Sequence, residues 1–156
     1  MRRGLTAYRA TGGEAHLPKF LSLLAEVYGK VGQAEEGLTV LAEALAMVNK
    51  NGERFYEAEL YRLKGQLTLQ SKVQGPKSKV QEEAEECFHR AIDIARRQSA
   101  KSLELRAVMS LSRLWQQQGR QKDDHQMLVQ IYGWFTEGFD TKDLQEAKAL
   151  LEELTQ

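Results

Sequence analysis

A helical hairpin that recurs along the chain limits what it can fold into. Residues 18 to 48, PKFLSLLAEVYGKVGQAEEGLTVLAEALAMV, read as two amphipathic helices folded back on each other at Gly32. Leu21, Leu24, Ala25 and Tyr28 fall on one face ahead of the break, and Gly37, Leu41, Ala44 and Leu45 do so after it. A single hairpin of this kind cannot bury its own apolar stripe. It needs copies stacked beside it, and the rest of the chain supplies them.

The copies align by hand. The first runs Leu21, Leu24, Ala25, Tyr28, Gly32, Gly37, Leu41, Ala44; the second Tyr61, Gly65, Thr68 and, after an insertion, Ala84, Phe88, Ala91; the third Val108, Leu111, Ser112, Trp115, Gly119, Leu128, Ile131. Small residues at close helix crossings, with a bulky residue one turn away, are what knob-and-hole packing requires. This order resembles the tetratricopeptide (TPR) signature over almost the whole chain. Lys64 stands where Leu is usual, Asp124 where a small residue is usual, and the prolines that end standard repeats are missing. Leu21, Tyr61 and Val108 are separated by 40 and 47 residues, against roughly 34 in the standard repeat. Longer helices and one long loop account for the excess.

With 156 residues and two prolines, and with abundant Ala, Leu, Glu, Lys, Gln and Arg, the chain is expected to form one all-α domain. Twenty-two basic residues offset twenty-two acidic ones, so no net field favours nucleic acid or a membrane surface. No apolar run of about 18 residues is present to cross a bilayer, and MRRGLTAYRATGG lacks the apolar core of a secretory signal. The one cysteine, Cys87, cannot form an intramolecular disulfide. A cytoplasmic setting is expected.

Taken in order, residues 3 to 10 place Leu5 and Tyr8 a turn apart before Thr11-Gly12-Gly13 stops the pattern. Residues 1–13 therefore read as the end of a preceding repeat, whose uncapped face invites self-association. Helix pairs are expected over 16–50, 55–99 and 102–138, and a cap helix over 141–155. Asn49 to Gly52 is read as a turn, Phe55 to Ser71 as the third helix, with Phe55 beside its apolar face, and Lys72 to Lys79 as a solvated loop. The fourth helix, Val80 to Gln98, sets Glu82, Glu83, Glu85 and Glu86 near its amino end and Arg90, Arg96 and Arg97 nearer its carboxyl end, as the helix dipole favours. Ser102 to Gln118 ends at Gly119, and Lys122 to Thr136 closes at Gly138. Asp140-Thr141-Lys142-Asp143 resembles a capped start for the last helix, with Leu144, Ala147, Leu150, Leu151 and Leu154 on its apolar side. That helix reads as the true carboxyl end of a parent protein.

Longer phrases, among them LAEVYGKVGQAEEGL, GERFYEAELYRLKG, CFHRAIDIARRQ and YGWFTEGFDTKDLQEAK (132 to 148), resemble the carboxyl-terminal TPR region of large bacterial signalling ATPases. In those proteins a class III adenylate or guanylate cyclase domain, or a winged-helix regulator, precedes an AAA-type module. The resemblance implies a regulatory or interaction arm in a right-handed superhelix, with catalysis in other domains.

No phosphate-cradling GxxxxGK[ST] or GxGxxG is present. His16, His89 and His125 lack metal-ligand spacing. Cys87 beside Phe88 reads as a packing thiol whose pKa Arg90 lowers somewhat. Glu35-Glu36, Glu82-Glu83 and Asp123-Asp124 read as solvated helix starts, and Tyr132, Trp134, Phe135 and Phe139 as packing under the cap helix. No catalytic, cofactor or metal residues are assigned, and no enzyme is expected.

The concave face of such a stack is lined by the first helix of each pair, which selects Lys19, Ser22, Glu26 and Lys30; Glu59, Arg62 and Gln66; and Arg106, Met109, Arg113 and Gln117. These form a mixed, slightly basic strip for an extended peptide, a partner helix, or other domains of the parent chain. Reversing Arg62 and Arg113 to Glu is expected to weaken an acidic partner and spare the fold. The competing reading is a sensor for a small effector, signalled by a deep apolar pocket among Tyr61, Met109 and Arg113.

Overall fold

The computed structural model describes residues 3–4, 16–52, 54–72 and 75–156, excluding the side chains of 121–124. The expected turn around Leu5 and Tyr8 and the Thr11-Gly12-Gly13 stop lie outside the described residues, as do the side chains of Asp123 and Asp124. Among the described residues the regular structure is all helical: α1 (Leu17–Lys30), α2 (Ala34–Asn51), α3 (Glu57–Gln70), α4 (Lys77–Arg97), α5 (Lys101–Gln117), α6 (Gln121–Trp134) and α7 (Lys142–Leu154). None of these helices is long and apolar enough to cross a membrane.

Each helix packs on its neighbour in sequence, and α1 touches α3, α3 touches α5 and α5 touches α7. Among the described residues α2 does not meet α4, α4 does not meet α6, and α1 does not meet α7. The odd-numbered helices therefore form a continuous inner row, while the even-numbered ones are splayed along the outside. Leu17, Leu21, Leu41, Val48, Leu60, Leu63 and Leu67 centre the core of α1 to α3, and Phe88, Ile92, Leu105, Leu111, Leu114 and Leu128 that of α4 to α6. Leu144, Ala147 and Leu150 of α7 close the second core.

Small residues set the spacing as the sequence pattern implies. A Cβ at Gly65 would lie 2.6 Å from the Phe88 ring and 3.0 Å from the Ala84 carbonyl, so only glycine lets α3 and α4 approach this closely. Leu67 plugs the junction between the first two pairs, because a Cβ at Gly29 or at Gly37 would lie 2.7 Å from its methyl groups. The tight turn after α1 uses Gly32 at φ 76, and the Gln33 N–H donates to the Tyr28 carbonyl at 2.8 Å. Ser99, at φ 54, ends α4 with the same bond pattern, Ala100 N–H to Ala95 O at 2.8 Å.

Several boundaries differ from expectation. Asn49 to Asn51 stay helical, and only Gly52, at φ 68, turns the chain. The third helix starts at Glu57, and Phe55, outside it, is 68% exposed. The fourth starts at Lys77 because Pro76 supplies a ready-made helix entry, its carbonyl accepting from Val80 N–H. Its first turn therefore holds no acid, and Glu82 to Glu86 lie beyond the reach of the amino-terminal dipole; Arg96 and Arg97 do occupy the last turn. The sixth ends at Trp134, four residues before Gly138. Thr141 occupies the cap position of α7 but donates its hydroxyl backwards to the Gly138 carbonyl at 2.7 Å.

Candidate functional site

The inner row encloses a trough of about 480 Å3 that runs from Glu26, Gly29 and Lys30 on α1, across α3 and α5, to Lys142, Asp143 and Glu146 on α7. Leu63, Leu67 and Met109 give it apolar floor positions; five cationic and three anionic side chains line it. Each inward position follows from helical spacing: Arg62 and Gln66, and Arg106, Met109 and Arg113, are steps of three or four along one face.

Its centre is a buried charge network. The Arg62 guanidinium donates from Nε and Nη2 to the two Glu59 carboxylate oxygens at 2.9 and 2.7 Å, and from Nη1 to Gln66 Oε1 at 2.9 Å and Ser110 Oγ at 3.4 Å. Arg106 reaches the same Glu59 oxygen at 2.9 Å and approaches Asp143 at 3.8 Å. Burial acts to lower the Arg62 pKa, but the hydrogen-bonded, oppositely charged Glu59 outweighs it and holds the group above its ordinary value. Nearer the rim, Glu26 pairs with Lys30 at 3.2 Å, while Glu146 is shared by Arg113 at 3.3 Å and Lys142 at 3.7 Å.

Of the eleven residues read from the sequence as groove candidates, seven line this trough: Glu26, Lys30, Arg62, Gln66, Arg106, Met109 and Arg113. Glu59 lies beneath it as the shared counter-ion. Lys19 instead extends over the Tyr56 ring at 5.8 Å, and the buried Ser22 spends its hydroxyl on the Lys19 carbonyl. Gln117 borders two adjoining clefts. The expectation that Arg62→Glu spares the fold is corrected, since Arg62 is 7% exposed and the change would bury a second carboxylate against Glu59. The sequence reading missed the α7 contribution, Lys142, Asp143 and Glu146, although the alternation that turns α1, α3 and α5 inward extends to a fourth odd helix.

Other candidates resolve differently. Tyr61 does not share a pocket with Met109 and Arg113; it lies under the Arg90 guanidinium at 4.4 Å, beside Cys87. Burial pushes the Cys87 thiol up, and Lys64 and Arg90 do not reverse it, contrary to the lowering expected. Glu85 is also desolvated, yet hydrogen bonds from Trp115 Nε1 at 2.9 Å and Arg120 Nη1 at 3.0 Å hold its carboxyl below the ordinary 4.5. Glu35 is in the first turn of α2 as expected and accepts from Ser71 Oγ and Lys72 N–H, each at 3.0 Å. Tyr132 and Phe135 pack on the core, but Trp134 and Phe139 are 57% and 45% exposed, so the cap helix covers only half of that aromatic group. Among the described residues no three His, Cys, Asp or Glu side chains are grouped as metal ligands would be. No protein-family model matches the chain, and no curated protein matches it.

Proposed function

We propose that the chain is a non-catalytic interaction arm, a right-handed TPR-like solenoid of three helix pairs and a cap, whose inner trough receives an extended segment or helix of a partner protein or of another domain of its parent. The observation that carries this reading is the unbroken inner row α1, α3, α5, α7, with one trough crossing all four helices. A site that spans successive repeats suits a long ligand with many weak contacts. The rim offers both charge signs at Lys30, Glu26, Arg113 and Glu146, above a closely packed floor at Leu63, Leu67 and Met109. The sequence resemblance described above supports reading the arm as one part of a bacterial cyclase or winged-helix signalling ATPase, in the cytoplasm. The small-effector reading gains no support, because Tyr61 lies outside the trough and the lining is largely charged.

The test is site-specific photo-crosslinking in cells of the source type, with the photoreactive residue at Gln66 in the trough or at Lys148 on the outer side of α7. Defined polypeptide adducts from Gln66 alone are expected, and Arg113→Glu combined with Lys30→Glu should reduce them. Adducts from Lys148 alone, or none from either, would refute the proposal. Nucleotide hydrolysis or cyclisation by the purified chain would refute the non-catalytic part.

A further inference from the structure

The charged groups of the trough do not spend their bonding capacity equally. A guanidinium carries five N–H donors, and Arg62 commits all three of its nitrogens to Glu59, Gln66 and Ser110. At 7% exposure it is closed off from a ligand. Glu59 is equally occupied: its Oε1 faces Arg62 at 2.7 Å and Arg106 at 2.9 Å, and its Oε2 accepts from Arg62 at 2.9 Å. At the rim Glu26 has Lys30, and Glu146 has both Arg113 and Lys142.

Arg106 is the exception. Its Nη1 pairs with an oxygen that already accepts from Arg62, its Nε stands 3.8 Å from Asp143, longer than a hydrogen bond, and its Nη2 meets no acceptor among the described residues. Its side chain, between α3 and α7, is 31% exposed, against 47% for Arg113 at the rim. A carboxylate bonded to a guanidinium partly withdrawn from water is held more strongly than one at the screened rim. With Glu59 beneath, the five lining cations face four carboxylates, so the trough is one negative charge short of balance. We propose that Arg106 is the residue by which the trough selects its ligand, taking a carboxylate side chain of an acidic segment that displaces Asp143 from beside it. The proposal rests on the reading of the trough as a peptide site. Asp143 is then a built-in competitor: 39% exposed in the first turn of α7, it is near enough to offset the charge of Arg106 and too far to hydrogen-bond it. The planar fork of Arg106 fixes the direction of an incoming carboxylate, which the point charges of Lys30 and Lys142 do not. One acidic side chain at a set place in the segment is therefore required, and diffuse negative charge does not replace it.

A random peptide library displayed on phage and selected against the immobilised full chain supplies the probe. Peptides bound in the trough are those crosslinked from a photoreactive residue at Gln66 and not from one at Lys148. Each is expected to carry an Asp or Glu whose change to Asn or Gln weakens binding at least tenfold. That sensitivity should vanish with Arg106→Gln and persist in part with Arg106→Lys. Asp143→Asn should tighten the same peptides severalfold, an effect opposite in sign to that of a damaged fold. Should circular dichroism show that Arg106→Gln does not fold, Arg106→Lys and Asp143→Asn decide between the same outcomes. Trough-bound peptides without such an acidic position, an acidic position whose effect survives the Arg106 variants in full, or looser binding after Asp143→Asn would overturn the assignment while leaving a peptide-binding trough. The absence of any trough-bound peptide would refute the trough reading and this proposal with it.

Discussion

Where α3 meets α4, the absence of a side chain at Gly65 lets the Phe88 ring lie against the backbone. Where α3 meets α5 on the inner side, the contact is a carboxylate, Glu59, shared by Arg62 of its own helix and Arg106 of the next pair. The first seam is shape and dispersion; it holds a hairpin together and tolerates no added volume. The second is a set of directional bonds, which fixes how one pair is set on the next and so shapes the trough. Buried ion pairs of this kind add little net stability over an apolar replacement, yet removing one partner is costly. The two seams should therefore fail in different ways.

Glu59→Ala should have the largest effect, because it leaves the 7%-exposed Arg62 without its counter-ion; a loss of about 3–5 kcal/mol is expected by urea denaturation. Next is Gly65→Leu, which drives a side chain into Phe88 and should cost about 1–3 kcal/mol or more. If the hairpin seam is purely steric, Phe88→Ala should recover part of that loss, and a double variant no better than Gly65→Leu would count against the contact. Arg113→Ala breaks a half-exposed rim pair with Glu146 and should change stability by at most about 1 kcal/mol. A larger change would mean that the rim, and not only the buried centre, sets the stacking.

The smallest effect concerns the outer side, where Glu85 of α4 accepts from Trp115 and Arg120 at the end of α5. Its folded-state pKa is depressed, so its contribution is present above the ordinary value of 4.5 and is lost as pH falls through the lower folded value. Glu85 keeps 20% of its side chain exposed and its partner Arg120 44%, and screening keeps the contribution small. Glu85→Gln should slightly flatten the acid limb of stability against pH below about 4.5 and leave neutral stability nearly unchanged. An identical acid limb in both proteins would show that the bond does not persist in solution.

The apolar seam was legible in the sequence because its signal is local: Gly65, Ala84, Phe88 and Ala91 announce themselves by size and spacing. The charge network was only half legible. Glu59, Arg62 and Arg106 were placed on the inner face by periodicity, and the i,i+3 spacing of Glu59 and Arg62 suits a pair on one helix. Nothing in the sequence says, however, that Glu59 also takes Arg106 from the next pair and that the group is buried. Asp143 read as part of the capped start of the last helix, and Glu146, opposite the apolar side, had no inner face to occupy in a helix read as a cap. Ser99 shows the same limit at a helix end. Gly32 and Gly119 mark their turns by residue type, while a serine at φ 54 makes an equivalent turn with no mark.

The division between the two seams rests on Glu59 tying α3 to α5, and a double-mutant cycle on Glu59→Gln and Arg106→Gln measures that tie. With stabilities from urea denaturation, a favourable coupling of about 1 kcal/mol or more is predicted, within the range seen for contacting residues in one network. A coupling indistinguishable from zero would mean that the pairs are stacked by apolar contact alone, which contradicts the account.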